Sequence, residues 1–316
     1  MAAHDEADPY DEVRRIGRLV SNWDRWGPND ERGTLNLIDA AAIRRGAECV
    51  RLGRGVTLGL EFSLDGPQCG FPPERFNPQR YMTAIGTAAG EYPGFCFSDD
   101  VVVMPLQCAT QTDALAHVHY DGRMYNGYAA DEVLGAGGAG RLGIASQADR
   151  PICTRGILLD FCRLRGVDRL PLDTAIDDRA LDEALAATGL DVLPGDVLVI
   201  RTGHMAYFRE GAKETYNYTA PGLTMPAVPW LRERDVAMVA SDTTLVERLP
   251  AEDPRLVCPV HLLLIREMGM PLGEMYDLDE LADVCAAEGR HDFMFNVQPI
   301  KFRGGIGSPT NPTAML

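Results

Sequence analysis

Apolar residues in this chain come in short runs: GILLDF at 156–161, DVLVI at 196–200, DVAMVA at 235–240 and VHLLLI at 260–265. Runs of that length fill buried strands or pieces of buried helix, and none approaches the 18 or more residues of a membrane-spanning helix. Between and after them lie DDRALDEALAAT at 177–188, acidic in its first turn, and the amphipathic LDELADVCAAEG at 278–289. Strand-type and helix-type segments therefore alternate through the second half, which predicts an α/β protein with a mixed β-sheet and surrounding helices. With 46% hydrophobic residues over 316 positions, a sizeable core is assured. No internal repeat, low-complexity linker or abrupt shift in charge marks a boundary. One domain is expected over 1–316, with a Trp-bearing N-terminal extension over about 1–38.

Local signals refine that outline. Asp39 reads as the N-cap of a helix, 56–62 as a strand, and the Pro- and Gly-rich stretch 65–93 as a loop. VVVMPLQCATQTD at 101–113 has strand composition, VHLLLIREM at 260–268 reads as an apolar helix, and HDFMFNVQPIKF at 291–302 as the final strand. GAGGAG at 135–140 satisfies GxGxxG, but AADEVL before it has no strand character, so an ordinary loop is expected. No GxxxxGK[ST], HExxH or GxSxG occurs.

Charge narrows the partners. Forty-six acidic against 30 basic residues give a formal net charge of −16, which disfavours nucleic acid and anionic membrane surfaces. The first residues, MAAHDEADPYDEVRRIGRL, lack the pattern of a secretory signal, so a cytoplasmic location is expected, with a small molecule as partner. The eight cysteines form no CxxC and are expected to be reduced, buried, small hydrophobes.

The chemistry concentrates in QCATQTDALAHVHYDG, residues 107–122. If the segment is extended, Gln107, Gln111 and Asp113 project to one side, while Cys108 is out of phase with them. His117 follows Asp113 by four residues, the spacing of one face of a helical turn. A carboxylate and an imidazole so placed can share a divalent cation, or the acid can hold the cation while the imidazole moves protons. The bland alternative is a hydrogen-bonded surface pair. His261 sits on the apolar 260–268 segment, with Glu274 thirteen residues on; there the alternative is a core histidine bonded to a carbonyl and a solvated acid. His204 ends a strand-like RTGH, where a core or surface role competes with an active-site one, and His4 lies in the N-terminal tail. Trp23, Trp26 and Tyr125 are candidates to wall an apolar substrate pocket, against plain core packing, and His119 is a candidate to orient a ligand side chain.

Taken together, these segments resemble the cyclase family of metal-dependent hydrolases, which includes bacterial kynurenine formamidase and isatin hydrolase. The family hallmark is HxGTHxDxxxH; here Thr110, Asp113 and His117 match it, while Gln107 and Gln111 replace its two leading histidines. The likeness continues in RGILLDFCRLRGVDRL, PGDVLVIRTG, PGLTMPAVPWL, VASDT and the segment from His261 to Glu274. NWDRWGPNDERGTLNLI, the YNG at 125–127 and GGIGSPTNPTAML look like a longer subgroup that carries the glutamine-containing motif. The resemblance implies a swivelling β/β/α fold and a homo-oligomer, dimer or tetramer. It also implies one or two divalent ions, Mn2+ or Zn2+, held by Asp113, His261 and Glu274, with Gln107 and Gln111 as weak ligands or hydrogen-bond donors. His117 matches the general acid/base. The implied reaction is opening of an amide or lactone in a small, cyclic or aromatic metabolite. The alternatives are a metal-independent cyclisation, dehydration or isomerisation using His117 and Asp113, and a ligand-binding homologue without catalysis.

Overall fold

A computed structural model describes residues 8–70, 72–92 and 94–316. His4 therefore lies outside the described residues. The core is one nine-stranded mixed sheet, in the order Gly55–Thr57, Thr313–Met315, Asp292–Val297, Ile152–Asp160, Val197–Arg201, Met238–Ser241, Leu272–Glu274, Gln111–Asp113 and Gly307–Pro309. Its four central strands, Ile152–Asp160 through Leu272–Glu274, run parallel, and antiparallel strands flank them on both sides. Strands buried on both faces must be apolar at nearly every position. Hence the short continuous runs seen in the sequence: Ile157, Leu159, Leu198 and Ile200 enter the core on one face, and Leu158, Val197 and Val199 that on the other.

The helix read from Asp39 is present over Ala40–Ala47, its first turn capped by the Asp39 side chain accepting from Ala41 and Ala42 N–H. Asp177 does the same for Asp178–Thr188. The VHLLLIREM segment is helical but changes register: Pro259–His261 is α-helical, and Leu262–Met268 widens to π before Gly269 ends it at φ 66°.

Four expectations need correction. The strand at 56–62 is short, spanning Gly55–Thr57. The 65–93 loop contains the strand Gln79–Ala88, which pairs antiparallel with Cys96–Val103 in a separate hairpin. VVVMPLQCATQTD is consequently not one strand: its VVV belongs to that hairpin and only Gln111–Asp113 joins the main sheet, with the chain turning between them. Asp292–Val297 is not the last strand, because Gly307–Pro309 and Thr313–Met315 follow it.

The N-terminal extension clamps the π-helical segment. Helix Tyr10–Val20 buries Val13, Ile16 and Val20 in the core that also holds Leu262–Ile265. Asn22 N–H and side-chain amide donate to the carbonyls of Glu267 (2.9 Å) and Met268 (2.9 Å), and Thr34 N–H to that of Gly269 (2.9 Å). These are carbonyls that a helix end otherwise leaves unpaired. Among the described residues, no helix is long and apolar enough to cross a membrane.

Candidate active site

Three antiparallel strand ends build the site. Gln111–Asp113 lies between Leu272–Glu274 and Gly307–Pro309, with Gln111 opposite Glu274 and Asp113 opposite Gly307. Opposed residues present their side chains on one face, as do residues two apart on a strand. Gln111, Asp113 and Glu274 therefore meet. The Gln111 amide donates to Glu274 Oε2 (2.7 Å) and to Asp113 Oδ1 (3.2 Å). Gln107 joins the same face: its Nε2 occupies the space a side chain at Gly307 would fill, 2.7 Å from that absent Cβ. Gln107 reaches the face from a turn and not from the strand, so it stands beside Gln111 and Asp113 without the strand alternation expected from the sequence.

His261 enters from the adjoining helix. Its Nε2 lies 3.0 Å from Glu274 Oε1, and its Nδ1 makes a short bond to Glu247. One donor atom from each of Asp113, His261 and Glu274 falls within 4.8 Å of the others, and all three residues are buried. Asp113 Oδ2 and Gln111 Oε1 are buried without a hydrogen-bond partner among the described residues. Such orphaned acceptors are costly and ask for a cation or a donor.

The electrostatics follow from this burial. Burial pushes the Asp113 carboxyl above the usual carboxylate range, opposed chiefly by the nearby His117 imidazole. For His261, burial alone would depress the pKa, but the bonds to Glu247 and Glu274 hold it well above the ordinary histidine value. Burial lowers His117, with Asp113 acting against it, so the ring is neutral at neutral pH.

His117 does not share a helical turn with Asp113. The strand ends at Asp113, and a tight turn returns His117 N–H to Ala114 O (3.0 Å), so proximity arises from the turn. The aromatic candidates are placed differently from an open wall. Tyr125 is fully buried, its hydroxyl on Asp30 Oδ2 (2.9 Å) and its ring against Gly269, leaving no face for a substrate. Trp23 donates from Nε1 to Arg266 O (2.8 Å) as part of the clamp, and Trp26 is half-buried beneath Arg25. His119 is exposed in a depression lined by Gly122, Ala130, Asp131 and Leu134, and makes no hydrogen bond to the acid cluster among the described residues. His204 is a core residue stacked on Tyr216. Cys96 is exposed on the hairpin, contrary to the expectation of uniform burial. Burial pushes the Cys108 thiol up to about 11, far from a nucleophile's range.

Glu247 and Arg75 were not picked out from the sequence. Glu247 holds His261 from behind, and Cys258 lies close to both. Arg75, half-buried in the 65–78 stretch, exerts its charge on Asp113, His117, Cys108 and Cys258. No ion pair or side-chain hydrogen bond to another described residue engages its guanidinium. Neither residue carries a local sequence signal, since each reaches the site through tertiary structure.

Comparison with known proteins agrees with this architecture. The model of the Cyclase family matches residues 56–248. The crystal structure of a novel cyclase superposes with a TM-score of 0.86 at 34% identity, covering 94% of this chain and 100% of that one. Isatin hydrolase A from Labrenzia aggregata, bound to benzyl benzoate, shares the fold at a TM-score of 0.60 and 19% identity, covering 83% of this chain and 93% of that one. A Bacillus stearothermophilus protein described as a predicted metal-dependent hydrolase does so at 0.51 and 14%, covering 83% and 97%. No curated protein matches the chain.

Proposed function

The chain belongs to the cyclase family, and from that footing we propose that it is a metal-dependent hydrolase opening an amide or lactone bond in a small, cyclic or aromatic metabolite. The observation that carries this reading is the buried grouping of Asp113, His261 and Glu274, with donor atoms within 4.8 Å and Asp113 Oδ2 left without a partner among the described residues. Two carboxylates and one imidazole fit a divalent ion such as Mn2+ or Zn2+. A divalent ion there supplies Lewis acidity, drawing electron density from a substrate carbonyl and making water a stronger acid.

The chain's own residues supply the rest. His117, neutral because of its burial, is able to accept a proton from the attacking water and return it to the leaving nitrogen or oxygen. Gln111 donates between Asp113 and Glu274; turned over, its carbonyl would face two carboxylates, so the amide orientation is fixed by charge. A neutral amide between the two acids supports a site for one ion instead of two. Arg75, whose guanidinium has no ion-pair partner among the described residues, brings a positive charge to the site, suited to the carboxylate that hydrolysis of an amide or lactone creates.

The test is the metal content of the purified protein. A stoichiometric divalent ion is expected, lost in Asp113→Ala and Glu274→Ala. His117→Ala should keep the ion and lose about 10²–10⁴-fold in turnover. Full turnover after exhaustive chelation would overturn the reading in favour of acid/base chemistry without metal. That alternative has a foothold in His261, which already bonds two carboxylates.

We propose also that the protein works as a homo-oligomer, dimer or tetramer, with a second copy covering the hairpin. Both of its strands are exposed along most of their length, including Ile85 at 77%, Phe95 beside them at 59%, and Val101, Val102 and Val103. An isolated two-stranded ribbon is marginal in water and an apolar one asks for cover. Covering both faces of a ten-residue hairpin removes on the order of 600 Å2 from one protomer, and the surface under the partner's hairpin adds to this. A specific interface takes roughly 800 Å2 per partner. Sedimentation should show an oligomer that Ile85→Lys with Phe95→Lys converts to a monomer; a monomeric wild type refutes the assembly.

A further inference from the structure

The helix that carries His261 starts without a local cap. Cys258 stands at its N-cap position with φ 51° and gives no side-chain hydrogen bond, and Pro259 has no N–H to offer. The next two backbone donors still need acceptors, because a first helical turn leaves its N–H groups unpaired. Both are met by Glu247: Val260 N–H donates to Oε2 (3.0 Å) and His261 N–H to Oε1 (2.8 Å). The same Oε1 takes the His261 ring through Nδ1. Glu247 is itself 1% exposed, so this carboxylate is committed to the helix start and the ring, not to solvent.

The consequence lies at the other ring nitrogen. With Nδ1 engaged by Glu247, Nε2 is the one turned to Glu274 and the acid cluster. A ligating imidazole that donates its second N–H to a carboxylate is fixed in orientation and is a better base toward a cation. We infer that Glu247 is a positioning residue: it sets the rotation and tautomer of His261 so that Nε2 joins Asp113 and Glu274 as a cation ligand. This rests on the hydrolase reading for the identity of the group held. The neighbouring Cys258 is near enough to share a cation with Glu247 and His261, but the Glu247 oxygens are already occupied by three donors, which assigns that side of the ring to support.

The experiment is a titration of the chelator-stripped, full-length protein with Mn2+, in competition with a fluorescent chelator, for the wild type, Glu247→Gln, His261→Ala and the double variant. Glu247→Gln keeps the shape and one carbonyl acceptor, and is expected to weaken Mn2+ binding by about 10–100-fold. In the His261→Ala background the same change should alter binding by less than about twofold, because its effect runs through the ring. Wild-type affinity in Glu247→Gln, or an equal loss in both backgrounds, overturns the inference. Should Glu247→Gln fail to fold, Glu247→Asp keeps the charge, shortens the reach and is expected to lose affinity in the same direction; wild-type affinity in that variant counts against it equally. A wild type that takes up neither Mn2+ nor Zn2+ refutes the hydrolase reading along with the inference. Failure confined to the variants refutes the role of Glu247 alone.

Discussion

Gln111 shows how one side chain alters a charged site. Its amide reaches Glu274 Oε2 and Asp113 Oδ1 together, so two buried acids share one neutral donor. Removing a partner from a buried acceptor exposes its full desolvation cost, about 1–3 kcal/mol or more where the acceptor is ionised. Gln111→Leu, similar in bulk without the donor, should therefore destabilise the metal-free protein by about 1–3 kcal/mol in urea unfolding with chelator present. A bound cation takes over the neutralising role, so saturating Mn2+ should recover part of that loss. An unchanged midpoint in chelator would mean the two bonds contribute nothing. Asp113, His261 and Glu274 were legible in the sequence because their types and spacings match a known pattern. Glu247 was not: it caps a helix from 13 residues upstream, whereas capping signals in sequence are local. Arg75 was hidden for a similar reason, inside a stretch that reads only as loop.

At the level of elements, legibility followed burial. Three of the four central parallel strands were visible because burial on both faces demands continuous apolar runs, the exception being the short Leu272–Glu274, and helices Ala40–Ala47 and Asp178–Thr188 because Asp39 and Asp177 cap them locally. Gln79–Ala88 was missed because burial does not dictate its pattern: QRYMTAIGTA is exposed over most of its length, and register shifts interrupt its pairing. Gln111–Asp113 was merged with the preceding VVV because the break between them is a turn without a strong signal beyond Pro105. The π register of Leu262–Met268 was equally invisible, since an apolar run does not report its hydrogen-bond period. It is a tertiary product: the carbonyls of Arg266, Glu267 and Met268 are taken by Trp23 and Asn22 of the extension, further along the helix that carries the ring facing the acids.

Across the whole molecule, the response to pH depends also on buried groups outside the candidate site. His204 donates from Nε2 to Tyr216 O (3.1 Å) and stacks on the Tyr216 ring, while its buried Nδ1 has no partner among the described residues. Burial lowers its pKa to about 4, because a second proton would place charge in the core. The unfolded chain takes up that proton near the ordinary value of about 6.5. From high pH down to that value the group contributes no slope. Below it the unfolded state binds a proton that the folded state refuses, so stability falls as pH drops toward about 4. Between about pH 8 and about pH 5 the loss from this one group is about 2 kcal/mol. Asp242, pushed up to about 6 by burial, works in the opposite sense, since its folded form holds a proton that the unfolded form releases and stability falls as pH rises between the two values. The two are separated by difference. His204→Gln keeps a donor for Tyr216 O but does not titrate, so the variant should be less sensitive to acid than the wild type by about 2 kcal/mol over that interval in urea unfolding. Parallel curves for the two proteins would show that His204 is protonated in the folded state as readily as in the unfolded one.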